Sequence, residues 1–334
     1  MKRTLGFLIL PLLLLSLTGC GSGDDAPAGG EPPARKFLSI GTAPPGGAFF
    51  VVGGAIGQVL NENRGDQTWD VTAEATKGSQ ENIRRLVRGE LDLALANAAI
   101  SYFAVRGEAG WDQAHAVKVV MTLAPNVALF VTPESSGVRS ITDLRGKRVV
   151  LGPAGAGFAF FIRPLLEAHG VSWDELTELH STQAGAVDML ADGSAAAAFL
   201  GGAVPTASIT QASSSRDIYF VPYTAEAMEQ ATSEYVFFRP ATIPAGTYRG
   251  QDQDFNGLDV GSMHLIAAAN ADEELIYRLT KTIYENRDKV VEKHAAGRAI
   301  NPKNVVRDTG TEFHPGAVRF YREIGIWPEP EATN

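Results

Sequence analysis

Short runs of β-branched and aliphatic residues alternate along this chain with stretches of helical period, and this alternation limits the fold to an α/β class. Phe37 to Ile40 reads as a strand, followed by a glycine- and proline-rich loop and a helix through Val51 to Leu60. Trp69 to Glu74, Leu91 to Ala96, Val117 to Leu123 and Val127 to Val131 read as further strands, and Ser79 as the N-cap of a helix carrying Ile83, Leu86 and Val87 on one face. Arg148 to Leu151 precedes a glycine-rich loop and a helix through Ile162, Leu165 and Leu166. Ser172 and Glu175 fit a capping box, Val187 to Leu190 a helix, and Ala195 to Leu200 and Leu265 to Ala269 strands. Asn270 is placed to cap the amphipathic helix of Leu275, Ile276, Leu279 and Ile283. A length of 334 residues implies about two domains.

The first residues stand outside this pattern. Lys2 and Arg3 precede the apolar run Leu5 to Leu15, which ends at Leu17-Thr18-Gly19-Cys20. That order is an export signal, too short for a membrane span. Small residues directly before the chain's single cysteine resemble a bacterial lipobox. The resemblance implies a signal peptide over 1–19, removed before Cys20, and a lipid on Cys20 that holds the protein to the cell envelope, facing the periplasm or extracytoplasmic space. Residues 20–35, rich in Gly, Pro, Ala and Asp, read as the lipidated cysteine and a flexible tether.

Composition removes several classes of function. The formal net charge of −9 argues against nucleic acid, which requires a basic face. One cysteine closes no disulfide and builds no CxxC pair. The six histidines lack metal-ligand spacing, so no metal and no cofactor is expected. His314, just before Pro315, is expected to shape a turn. There is no Gly-x-Ser-x-Gly elbow and no Gly-x-x-x-x-Gly-Lys loop, and Gly152 to Gly157 has the wrong spacing for a dinucleotide fingerprint. No catalytic residues are identified, and the chain reads as a non-enzyme.

Three strand–loop–helix junctions remain: Thr42 to Ala48, Thr76 to Ser79, and Pro153 to Phe158. Each offers small or hydroxyl residues and free helix-start amides, a physical basis for holding a carboxylate. Together they point to one shared ligand cleft.

These stretches also carry a family resemblance. Ile40-Gly41-Thr42, Pro45-Gly46-Gly47-Ala48-Phe49-Phe50-Val51-Val52-Gly53-Gly54, Thr76-Lys77-Gly78-Ser79-Gln80-Glu81-Asn82 and Gly89-Glu90-Leu91-Asp92 resemble the TAXI family, the extracytoplasmic solute receptors of TRAP transporters. Asp143-Leu144-Arg145-Gly146-Lys147, Pro240 to Gln251 and His314-Pro315-Gly316-Ala317 continue the resemblance, in order, over most of residues 37–325. It implies a two-lobed type II periplasmic-binding-protein fold with the ligand between lobes, one lobe from 36–125 plus 260–334 and the other from 126–259. It further implies a TRAP permease as membrane partner and a small organic acid, such as glutamate or 2-oxoglutarate, as ligand.

The chain departs from the family where ligand is expected. Phe49 and Phe50 replace two tyrosines, Gly155-Ala156-Gly157-Phe158 replaces Gly-Ser-Gly-Thr, and Lys77 replaces a glycine. Asn97-Ala98-Ala99 stands where glutamine, serine and aspartate are usual. With these hydroxyls gone, the expected ligand is a carboxylate less polar than glutamate. Phe49, Phe50, Phe158 and Phe160 would form its wall. Thr42, Gly46, Gly47, Thr76, Ser79, Asn97, Gly155 and Gly157 would supply its polar end, and Lys77 a positive charge. Rival readings are a receptor for an ABC importer, a sensing module for a membrane kinase, an exported hydrolase, and a purely structural envelope lipoprotein.

Overall fold

A computed structural model describes residues 36–45 and 47–329. The signal segment, Cys20, the tether and Gly46 lie outside the described residues. Twelve strands and ten α-helices are present among the described residues. The strands are β1 (Lys36–Gly41), β2 (Trp69–Glu74), β3 (Leu93–Asn97), β4 (Val117–Thr122), β5 (Val127–Pro133), β6 (Arg148–Val150), β7 (Thr177–Leu179), β8 (Ala197–Gly202), β9 (Ile218–Phe220), β10 (Phe238–Ile243), β11 (Phe255–Val260) and β12 (Met263–Ala268). The helices are α1 (Ala48–Glu62), α2 (Ser79–Val87), α3 (Ala98–Arg106), α4 (Ala159–Ala168), α5 (Gln183–Ala191), α6 (Ala207–Ser215), α7 (Ala225–Glu234), α8 (Glu273–Glu285), α9 (Arg287–Lys293) and α10 (Pro315–Glu323).

The strands form two mixed sheets. The first has the order β2-β1-β3-β12-β4, and the second β10-β11-β5-β8-β6-β7 with β9 paired to β5. β1 lies parallel to β2 and β3, as strand–helix–strand crossovers require, while β12 enters antiparallel between β3 and β4. Helix α1 buries Val52, Ile56, Val59 and Leu60 toward the first sheet, and α8 buries Ile276, Leu279 and Ile283. Their i, i+3, i+4 spacing is the amphipathic signal read in the sequence.

The chain passes between sheets at 123–127 and again at 260–263. These two crossovers pair with each other: the Val260 amide donates to the Asn126 carbonyl, the Leu123 amide to the Met263 carbonyl, and the Met263 amide to the Ala124 carbonyl. The buried Asp259 carboxylate accepts from the Asn126 amide at 3.0 Å and from Ser262 Oγ at 2.5 Å, with the Arg307 guanidinium 3.8 Å away. Burial pushes the Asp259 carboxyl up and the Arg307 guanidinium down, and each partner partly offsets the shift of the other. The 301–307 segment also grips this ribbon, because Asn304 Nδ2 donates to the carbonyls of Thr122 and Leu123 and Thr122 Oγ1 to that of Arg307.

A second connection is apolar. Phe103 of α3 stacks on Phe160 of α4 at 5.9 Å and meets Phe237, just before β10, edge-on at 5.7 Å. Trp111 also stacks on Phe160, at 5.6 Å. Residues from both halves of the chain therefore share one hydrophobic core. A second core lies beneath α1, α8 and α10.

Three local expectations are revised. The N-cap of α2 is Gly78, at φ 118°, and Ser79 is the first helical residue; its Oγ accepts from the Asn97 amide instead of capping. α8 is capped by Asp272, not Asn270, with the carboxylate accepting from Leu275 N at 2.7 Å. The Ser172–Glu175 capping box exists but closes a single 3₁₀ turn over Trp173–Glu175.

His264 on β12 is fully buried, with Nε2 2.7 Å from Thr309 Oγ1, and burial pushes its pKa down to about 3. The unfolded chain protonates this ring near 6.5, so between those values the folded state binds fewer protons. Its stability contribution is complete above pH 6.5 and declines as pH falls. Urea unfolding is expected to show about 1–2 kcal/mol less stability at pH 5 than at pH 7, with His169 and His314, also pushed down by burial, acting in the same direction. The acid loss should shrink in His264→Gln; an unchanged pH slope would contradict this assignment.

Candidate functional site

A cavity of about 360 Å³ lies between the two sheets, near the lower end of the range for small-molecule sites. Six helices start at its wall. Gly47 and Phe49 line it from the start of α1, Gly78 and Ser79 from α2, and Asn97 and Ile100 from α3. Phe158 and Phe161 come from α4, Thr182 and Gln183 from α5, and Thr206 and Ser208 from α6.

Side-chain caps are scarcer at the cavity than elsewhere, where α9 alone lacks one. α7, α8 and α10, which begin elsewhere, are each capped by a side chain, from Thr224, Asp272 and His314. At the cavity, α1, α2, α4 and α6 have no side-chain cap. Apart from the Phe50, Phe160 and Phe161 amides, which donate to carbonyls three residues back, their first-turn amides are left to water or to whatever occupies the space, and their dipoles make that space attractive to negative charge. Asn97 and Thr182 do cap α3 and α5.

Of the residues expected at a ligand, Gly47, Phe49, Lys77, Ser79, Asn97 and Phe158 line the cavity. Thr42, Phe50, Thr76, Gly155 and Gly157 are not in its wall. Thr42 Oγ1 is used on the Glu74 carbonyl at 2.6 Å, and the Thr42 carbonyl accepts from Asn82 Nδ2 and Thr76 Oγ1, so both threonines hold the loop instead of facing the cavity. Gly157, at φ 91°, serves close approach: a Cβ there would lie 2.9 Å from Ile100 Cδ1 across the junction of the two halves. Phe160 faces α3 in the aromatic stack, so its place in the ligand wall is corrected; the wall is completed by Phe161 and Phe199.

The second half contributes residues that sequence reading missed. Gln183 Nε2 donates to the Gly201 carbonyl at 2.7 Å, and its Oε1 accepts from Ser208 Oγ at 2.6 Å and from the Gly201 amide at 3.3 Å. This joins α5, α6 and the end of β8 into a rigid floor. Thr206 N–H donates to Tyr248 Oη at 2.8 Å. From the first-sheet side His294, after α9, also lines the cavity; its Nδ1 accepts from the Ala296 amide at 3.1 Å, leaving the proton of the neutral ring on Nε2. Only the N-cap pattern of Thr182 before a helical run offered any sequence signal for this group.

Among the described residues no Asp, Glu or Arg lines the cavity. Lys77 is its one permanently charged lining residue, exposed and without an ion-pair partner among the described residues. No cluster of three His, Cys, Asp or Glu that could hold a metal occurs among the described residues. The arrangement can enclose and orient a molecule. No side chain in it is set as an activated nucleophile beside a base.

Residues 40–325 match the family model described as the NMT1-like family. The chain belongs to the NMT1-like family. Among solved structures it is similar to PhnD1 from Prochlorococcus marinus in complex with methylphosphonate, at 12% identity, TM-score 0.55, covering 86% of this chain and 96% of that one. It is also similar to a binding protein component of an ABC phosphonate transporter from Pseudomonas aeruginosa, at 10% identity and TM-score 0.52, covering 79% of each. At such identities the likeness establishes the fold. This NMT1-like chain has the two-sheet α/β fold of periplasmic binding proteins.

Asn97 both caps α3, through Ala99 N at 2.8 Å, and donates to the Gly261 carbonyl of the crossover at 2.7 Å. Asn97→Ala is expected to cost about 1–3 kcal/mol in denaturant unfolding. Asn97→Asp keeps the capping acceptor and should recover part of that loss.

Proposed function

We propose that this NMT1-like protein is an extracytoplasmic solute receptor that captures a small organic acid and delivers it to a membrane importer. The observation that carries this reading is the cavity between the sheets, walled from both halves, with uncapped helix starts and, among the described residues, no carboxylate in its lining. A ligand touching both halves at once favours the closed arrangement by its differential contacts, which is the signal a permease can read. Lipidation at Cys20 would keep the receptor beside its partner.

The importer class has two supports. The fold neighbour from Pseudomonas aeruginosa is a component of an ABC transporter, which favours an ABC importer. The TAXI-like motifs favour a TRAP permease. Affinity purification of the full-length lipoprotein from its native membrane separates them, by recovery of an ATP-hydrolysing subunit or of ion-driven permease subunits.

The receptor reading predicts a released small molecule. Protein produced in its native host, denatured and analysed by mass spectrometry, should yield an organic acid near one per chain. That compound, added back at 100 times its dissociation constant, should stabilise the apo protein by about 2.7 kcal/mol. Recovery of no small molecule, with no thermal response across an organic-acid panel, would leave the structural-lipoprotein reading in place.

A further inference from the structure

We infer that the cavity selects monoanions that carry no amino group and have an apolar body, and that it rejects amino acids. This rests on the receptor reading above and specifies its ligand.

The inference follows from the cavity's charge and from its engaged acceptors. An α-amino acid brings an ammonium along with its carboxylate, and a desolvated ammonium needs a carboxylate or several free acceptors. No acidic side chain lines the cavity among the described residues. The acceptors that do line it are largely committed within the protein. Ser79 Oγ holds the Asn97 amide, Thr182 Oγ1 holds the Gly185 amide, and Gln183 Oε1 holds Ser208 and Gly201. Asn97 Oδ1 holds the Ala99 amide. Beyond these, Asn126 and Gln211 offer neutral side-chain carbonyls, which accept but carry no charge to match an ammonium.

The donors are in the opposite state. Because Ser79 and Thr182 accept from backbone amides, their own hydroxyl protons remain available. The Lys77 ammonium has no ion-pair partner among the described residues, and His294 presents Nε2–H. An ammonium placed here would meet a like charge and a wall of donors, whereas a carboxylate or phosphonate oxygen would be matched. With no arginine in the lining among the described residues to form a bidentate clamp, the head group is held as a single charge. Phe49, Phe158, Phe161, Phe199 and Ile100 give the rest of the molecule an apolar surface.

The decisive comparison uses 3-phenylpropanoate and L-phenylalanine, which differ by the α-ammonium alone. Isothermal titration of ligand-stripped protein, with hexanoate, methylphosphonate and L-glutamate as further probes, should show 3-phenylpropanoate or hexanoate binding at least 100-fold more tightly than either amino acid. Tighter binding of methylphosphonate than of hexanoate would overturn the apolar-body part of the inference, since a single methyl offers the apolar wall almost nothing. Thr182→Asp retains an N-cap for α5 while placing a carboxylate in the wall. It should fold with an unchanged melting midpoint and lose at least tenfold in anion affinity. Amino-acid binding as tight as that of the matched acid would overturn this inference and leave the receptor standing. Failure of every probe, and of any molecule released from the native protein, would overturn both.

Discussion

The Asp259 carboxylate is the point on which the two halves of this molecule depend. It accepts from the Asn126 amide on one crossover and from Ser262 on the other, and it faces Arg307 from a third segment. A buried ion pair of this kind adds little net stability, because desolvation offsets the attraction. Its value is geometric: three segments remote in sequence are brought to one place. Asn126 also lines the cavity, so the same residue belongs both to the junction of the sheets and to the ligand wall.

The cavity is built at the expense of helix stability. A side-chain cap contributes about 1 kcal/mol to a helix, and four of the six helices that start at the cavity forgo it, against α9 alone among the four that start elsewhere. Elsewhere the same chain supplies Thr224, Asp272 and His314 for that purpose. The donors left unpaired are the means by which an anion would be recognised, and Lys77 adds to them at an exposed position.

The periodic elements were legible in the sequence, since apolar spacing at Ile276, Leu279 and Ile283 or at Val52, Ile56 and Val59 admits one helical face. The first-half wall was also legible, at Gly47, Phe49, Ser79 and Asn97, because those residues sit in loop-to-helix junctions. The second-half wall was not. Gln183 and Ser208 reach the cavity only through the pairing of β8 with β5, and polar residues at helix starts carry no mark of what they face; His294, on the first-sheet side, arrives only by the return of the chain through α9. Thr42 and Thr76 misled for the converse reason: a hydroxyl near a glycine loop can equally serve that loop. Ser79 lost its expected cap role to a tertiary partner, the Asn97 amide, which no local pattern reveals.

The aromatic stack also has a thermodynamic consequence. Phe103 and Trp111 on one side and Phe160 and Phe237 on the other belong to one hydrophobic core, so neither half can shed its packing while the other keeps its own. A chain drawn as two lobes is in this respect a single cooperative unit. Its slowest-exchanging amides should be spread over β3 and β5 alike, with no segregation into an early-melting and a late-melting half.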